Sequence, residues 1–315
     1  MSRDDAPPTL SSSSSTSAAA GTPGTKVWLS RLGRAVDPHE ATVSVFDRGF
    51  LYGDSVYETL RTIGGHYVEW DEHIERLHRS ASGIGLEIPF DDAALRAAVD
   101  EAHEASGNVD SRIRIVVTRG SGHIMLDVRD VEDPQLVVYV QRLVETAPEA
   151  YERGLSAVIV DSRASTHPGL KTGNYLPNIL ALQRAIEARG EDAILCNRDG
   201  EIAEGATSNI FMVEGGKVYT PELETGLLAG ITRQRVIGIA ARLGIELHET
   251  RILPERLREA DEVFLTSSVR SIMPVTRLDG VEMSGGGPGP VTRRLMEANT
   301  AYLQGIASGG GPSAG

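Results

Sequence analysis

Lys171 stands in the run Lys171-Thr-Gly-Asn-Tyr175-Leu-Pro, and Glu204 follows 33 residues later in Glu204-Gly-Ala-Thr-Ser-Asn-Ile-Phe211. A lysine amine condenses with an aldehyde. A carboxylate set against the nitrogen of a pyridine ring keeps that nitrogen protonated, and a protonated ring draws electrons from whatever is attached to it. The pair therefore suits chemistry run through a pyridine aldehyde. Lys and Glu are common residues, so the pair gains its weight from neighbouring segments. Gly230-Ile231-Thr232 opens a helical pattern. The unpaired N–H groups of a helix start bind anions, glycine lets the backbone come close, and Thr232 adds a hydroxyl. Thr266-Ser267-Ser268 ends a strand with further hydroxyls and N–H groups. Arg76, one turn after His73, offers a planar two-point grip on phosphate. Tyr175 offers a phenol to an oxygen on the ring. Taken singly, each of these is equally a helix start, a turn, a solvated arginine or a half-buried aromatic.

Competing chemistry is absent from the sequence. There is no His-x-x-x-His or Cys-x-x-Cys pair for a metal, no Gly-x-Ser-x-Gly elbow and no phosphate loop of the nucleotide-binding kind. The one cysteine, Cys196, lies in an apolar strand pattern, where a thiol behaves as a small hydrophobe. The chain has 315 residues, 31 basic and 44 acidic, for a net charge of −13. That balance argues against nucleic-acid partners, which call for a basic surface, and against an anionic membrane surface. No stretch approaches the roughly 20 apolar residues of a membrane span, and the N-terminus lacks the apolar core of a secretory signal. A cytoplasmic setting is expected, in keeping with a lone cysteine.

The elements that must hold these residues read as α+β. Residues 1–24 form a Ser-rich disordered extension by composition. Alternation predicts strands at Ala41–Phe46, Ile113–Thr118 and Leu136–Val140, and a Gly-Gly turn within Ile63–Val68. Asp71 is placed to cap a helix through Ile74, Leu77 and Ile84, and a second helix is expected from Asp91 to Glu104. Pro148 breaks a charged stretch, which reads as a linker over 147–154. Strands are then expected at Leu155–Val160, Ala193–Cys196, Asn209–Val213, Lys217–Tyr219 and Glu262–Leu265. Helices are expected from Pro177 to Arg189, from Gly230 to Leu243 and from Val291 to Leu303. The domains are accordingly 25–146 and 155–304, with a flexible tail over 305–315.

Together the segments resemble the class IV aminotransferases, the pyridoxal-phosphate enzymes of fold type IV. The matching pieces include Asp47–Arg61, His73-Ile-Glu-Arg-Leu77, Val117-Thr-Arg-Gly120, Lys171–Leu176, Glu204–Asn209, Leu228–Arg233 and Phe264–Ser268. The resemblance spans Val27 to Leu303. It implies a small α/β sandwich domain and a larger pseudo-barrel domain with pyridoxal 5′-phosphate between them. It implies that Lys171 carries the cofactor and moves the proton. Glu204 would face the ring nitrogen and Tyr175 the ring oxygen. Arg76, Ile231 (through its N–H), Thr232 and Ser268 would hold the phosphate. Tyr52, Tyr57, Arg61 and Arg114 match positions that line the substrate pocket. The implied partners are an amino acid and a 2-keto acid such as 2-oxoglutarate, and the implied assembly is a homodimer. Two subtype patterns are incomplete. Arg114 aligns with an arginine that branched-chain transaminases use for the side-chain carboxylate of glutamate, yet Arg112-Ile-Arg-Ile replaces the surrounding Tyr-x-Arg-Pro. The Arg-x-His pair of D-amino acid transaminases is also missing. Branched-chain transamination is the expectation, with D-amino acid transamination and then an aminodeoxychorismate lyase as alternatives. From a different class, a cofactor-binding protein without turnover also stays open.

Overall fold

The computed structural model describes residues 23–161 and 169–309. The expected Ser-rich extension falls, up to residue 22, outside the described residues, as does the chain beyond 309. The N-terminal half is one antiparallel sheet. Its strands are β1 (Lys26–Leu29), β2 (Arg34–Val36), β3 (Ser55–Ile63), β4 (His66–Tyr67), β5 (Ser111–Thr118) and β6 (Leu136–Arg142), in the order β2-β1-β6-β5-β3-β4. Gly64 and Gly65 make the β3–β4 turn with φ of 57° and 81°, a left-handed backbone that glycine adopts without strain. Three helices belong to this half: α1 (Arg48–Tyr52), α2 (Trp70–Gly83) and α3 (Asp92–Ser106). The apolar faces of α2 and α3 lie on the sheet, where Leu60, Leu77, Leu95, Ile113 and Ile115 are all fully buried. Each such side chain contributes about 1.5–3 kcal/mol relative to exposure. Asp91 caps α3 through its side chain.

A short helix, α4 (Pro148–Arg153), occupies most of the stretch read as a linker, with Pro148 at its first position, where a missing N–H costs nothing. The second half is a mixed sheet of β7 (Leu155–Asp161), β8 (Asp192–Cys196), β9 (Ile202–Gly205), β10 (Asn209–Glu214), β11 (Lys217–Thr220), β12 (Leu247–Glu249), β13 (Glu262–Ser267), β14 (Ser271–Leu278) and β15 (Val281–Glu282). The order is β12-β11-β10-β13-β14-β7-β8-β9, with β15 on β14. The sheet curls until its ends meet: Ile202 N–H in β9 donates to the carbonyl of Ile252, just past β12, at 2.8 Å. Ile202, Ile210, Met212, Ile252 and Val275 fill one side of it. Helices α5 (Leu176–Glu187), α6 (Ile231–Arg242), α7 (Pro254–Arg258) and α8 (Pro290–Ala307) complete the chain. This is the α+β architecture expected.

Three details differ from the sequence reading. Ala41–Phe46 is not a strand; Val43, Val45 and Phe46 are 46%, 63% and 52% exposed. Alternation marks apolar residues for burial but does not supply a partner strand. Helix α2 begins at Trp70 behind Glu69, not at Asp71. Glu69 takes a left-handed backbone, φ 55°, and its carboxylate is held by Arg235 at 2.6 Å across the two halves. Helix α8 runs to Ala307, so residues 305–307 are helical rather than tail. Its last turns pack Leu303 and Ile306 against Val68 of the first half.

Candidate active site

Strand β3 and the segment around Lys171 run side by side. Tyr57 N–H donates to the Lys171 carbonyl at 3.1 Å, and Gly173 N–H donates to the Ser55 carbonyl at 2.9 Å. A side chain at Gly173 would overlap Ser55 Oγ. This zipper fixes Lys171 in the wall of a cavity of about 750 Å³ between the two sheets. The chain has three lysines. Lys26 and Lys217 are tied in ion pairs outside this cavity, to Asp37 at 2.8 Å and Glu246 at 2.9 Å. Lys171 Nζ has no carboxylate in contact among the described residues and lies 4.6 Å over the ring of Tyr57. Burial pushes its ammonium down to about 8, with Glu58 and Glu204 pulling the other way. A neutral amine near physiological pH is what a nucleophile and proton carrier needs.

Glu204 opens into the same cavity from β9. One oxygen, Oε2, accepts the N–H of Leu228 at 3.0 Å, and the other has no partner among the described residues. Burial raises the carboxyl, against that N–H and Lys171. Tyr175 reaches in at the start of α5, and Tyr57 donates its hydroxyl to Tyr175's. The two rings meet edge to face at 5.6 Å. The Arg114 guanidinium covers Tyr57 at 3.9 Å.

At another wall of the cavity, α6 begins with Gly230 as its cap. A Cβ at Gly230 would overlap Asn209 Oδ1, and Asn209 Nδ2 donates to the Leu228 carbonyl at 2.8 Å. Only glycine fits there, and the N–H groups of Ile231 and Thr232 follow it at the helix start. Thr232 is buried, its hydroxyl 3.5 Å from Arg235 Nη2. Ser268 also lines the cavity, and Thr266 Oγ1 nearby is buried without a partner among the described residues. Arg76 joins this group from α2. Its Nε and Nη2 donate to the two oxygens of Glu58 at 2.7 and 2.8 Å, and Nη1 donates to the Ala229 carbonyl at 3.0 Å.

Of the residues singled out from sequence, Lys171, Tyr175, Glu204, Arg76, Ile231, Thr232, Ser268, Tyr57 and Arg114 line this one cavity. Tyr52 and Arg61 do not. Tyr52 lines a neighbouring cavity of about 450 Å³, beneath Arg48. Arg61 sits behind the wall and donates to the Val269 carbonyl at 3.2 Å. Arg112 lines the cavity beside Arg114, and neither has an acidic partner among the described residues; Arg270 is held by Asp192 at 2.7 Å. Glu58, His73, Asn209 and Ser55 were not singled out. Glu58 carried a signal, an acid inside an apolar strand run facing an i, i+3 His–Arg pair.

These features accord with known proteins. A family model for amino-transferase class IV matches residues 55–278. The chain is 34% identical over 266 residues to a D-alanine aminotransferase of Bacillus licheniformis, covering 84% of this chain and 93% of that one. A branched-chain aminotransferase of Thermoproteus uzoniensis, solved with norvaline, superposes with a TM-score of 0.80 at 35% identity, over 90% of this chain and 95% of that one. A branched-chain amino acid aminotransferase of Thermobaculum terrenum, solved in its PLP form, gives a TM-score of 0.78 at 26% identity, over 91% of this chain and 94% of that one. The chain belongs to the class IV aminotransferases.

Proposed function

We propose that the cavity holds pyridoxal 5′-phosphate bound to Lys171, and that the protein moves the amino group of an amino acid, branched-chain first, onto a 2-keto acid such as 2-oxoglutarate. The observation that carries this reading is the meeting of the Lys171 amine and the free oxygen of Glu204 in one cavity with Arg76 and the start of α6. The donor set fits the group. Among the described residues Thr266 Oγ1 is a buried hydroxyl without a partner, Gly230 leaves the helix start bare, and Glu204 keeps one acceptor oxygen for a protonated ring nitrogen. The group, when bound, supplies the aldehyde that takes up the amino group and the ring that draws electrons from it. Arg76, Thr232, Ser268 and the N–H of Ile231 hold its phosphate. Tyr175, fixed by Tyr57, gives its phenol to the ring oxygen. Lys171, with its amine near neutrality, takes the proton from the substrate α-carbon and returns it. Arg114, with no acid in contact, receives a substrate carboxylate.

A second reading, transfer from D-amino acids, is supported by the similarity to the D-alanine aminotransferase. The donor screen decides. The purified protein is given L-leucine, L-valine or D-alanine with 2-oxoglutarate, and the hand of the glutamate formed is assigned. L-glutamate from L-leucine supports the first reading, and D-glutamate from D-alanine replaces it with the second. Pyruvate from aminodeoxychorismate with no keto acid present would make the protein a lyase instead.

We propose further that the protein works in the cytoplasm as a homodimer. Val45, Phe46 and Phe50 are 63%, 52% and 66% exposed, and Leu126 is 82% exposed. Their two segments are tied together by the Asp47–Ser121 bridge and by Arg48, which donates to the Met125 carbonyl at 2.6 Å. An apolar surface shared by two tied segments is suited to a second copy of this chain. Light scattering should return about twice the chain mass; a monomer at micromolar concentration would remove this part.

A further inference from the structure

We infer that Glu58 is a positioning residue for the cofactor phosphate, acting through Arg76 and steadied by His73; this rests on the reading that the cavity binds pyridoxal 5′-phosphate. Glu58 is fully buried in β3, and His73 and Arg76 are 1% and 5% exposed. Neither Glu58 nor His73 lines the cavity, so neither touches what binds there. Arginine has five N–H donors in a rigid fork and no acceptor. Glu58 takes two of them, one on each carboxylate oxygen, and the Ala229 carbonyl takes a third. One N–H on each of Nη1 and Nη2 is left without a partner among the described residues, and Arg76 lines the cavity. The two-point pairing fixes the plane of the guanidinium, and the Ala229 contact locks that plane to the residue directly before Gly230. One carboxylate thus registers an arginine of the first half against the helix start of the second.

His73 completes the arrangement. Its Nδ1 lies 2.7 Å from Glu58 Oε2. An ionised carboxylate only accepts, so His73 carries its proton on Nδ1 and donates. An arginine buried this deeply without an acid would carry an uncompensated charge and would lose its aim. A well-placed supporting residue of this kind governs how closely a binding group holds its geometry.

Equilibrium binding to the apoprotein tests this, comparing pyridoxal 5′-phosphate with pyridoxal, which lacks the phosphate. Adduct formation at Lys171 is read by absorbance, so no turnover is needed. Glu58→Gln should lower the ratio of pyridoxal 5′-phosphate to pyridoxal affinity by about tenfold or more, the ratio cancelling the effect of the Glu58 charge on the Lys171 amine, which both ligands share. In an Arg76→Met background, Glu58→Gln should have no further effect on that ratio, since Glu58 acts through Arg76. Glu58→Asp keeps the charge but draws it back, and it serves if the Gln variant fails to fold; its ratio should also fall. Equal weakening of both ligands in the Glu58 variants, or no change in either, overturns the inference while leaving the proposed function standing. A wild-type protein that forms no adduct with pyridoxal 5′-phosphate overturns both.

Discussion

Lys171 has to be neutral to attack an aldehyde and has to hold a proton to return one. Its amine, pushed down to about 8 by burial, meets both demands. At pH 7 about a tenth of such amines are neutral, against fewer than about one in a thousand for an ordinary lysine. The direction of the pH dependence follows. Lowering the pH protonates the amine and slows its attack on an aldehyde. The rate of adduct formation by the apoprotein should therefore rise up to about pH 8 and then level off. A rate still climbing steeply toward pH 10 would mean an unperturbed lysine. At this scale much of the site was legible. Lys171, Glu204 and Tyr175 carry reactive or polar groups that drew notice in the sequence, and the fold brings all three to one cavity. Glu58 left only the faint mark of an acid in an apolar strand run and Asn209 left none, because the need for each arises only after folding. Glu58 answers a buried arginine 18 residues away, and Asn209 answers the space left by Gly230. Arg61 lies outside the cavity lining for the converse reason. It carries a carboxylate-binding group, but its strand register turns that group to the Val269 carbonyl.

Strand β3 is the element that organises the site. It lends a backbone N–H to the Lys171 carbonyl, a phenol to Tyr175, an acid to Arg76 and a guanidinium to the Val269 turn. Helix α6 contributes by where it begins. Gly230→Ala forces a Cβ onto Asn209 Oδ1. The asparagine must give way, and with it its hydrogen bond to the Leu228 carbonyl, which precedes the Gly230 cap by two residues. The variant should lose about 1–3 kcal/mol of stability and bind the phosphate ester of the cofactor more weakly, read by thermal melting and by cofactor titration. A variant that binds as tightly as wild type would show that the start of α6 is not part of the cradle. Helix starts at Asp91 and Gly230 were readable because capping chemistry is local. The start of α2 was not, because Glu69 is held by Arg235, far away in sequence. The alternation of Ala41–Phe46 was likewise a local signal, and no neighbouring strand answers it.

Across the whole molecule, two sheets are held against each other by a few long connections. Arg235 reaches Glu69, Arg76 reaches the Ala229 carbonyl, and the end of α8 packs on Val68. The cavity lies between the halves, so a shift of one sheet against the other changes the distances from Arg76 and Tyr57 to Glu204 and the start of α6. The α+β class was readable from the alternation of short strands and helices. The order of strands was not: β7 lies parallel between β14 and β8, a pairing that no local pattern announces. Nor was the meeting of the sheet's ends at Ile202 and Ile252. What distinguishes one amine from the others is likewise a property of the folded whole, and only three lysines compete for an aldehyde. The direct measurement is to load the protein with pyridoxal 5′-phosphate, reduce it with borohydride and map the modified residue by mass spectrometry. Lys171 should carry the pyridoxyl phosphate group, one per chain, with Lys26 and Lys217 untouched. Label on either of those two instead, or no label at all, would contradict the account.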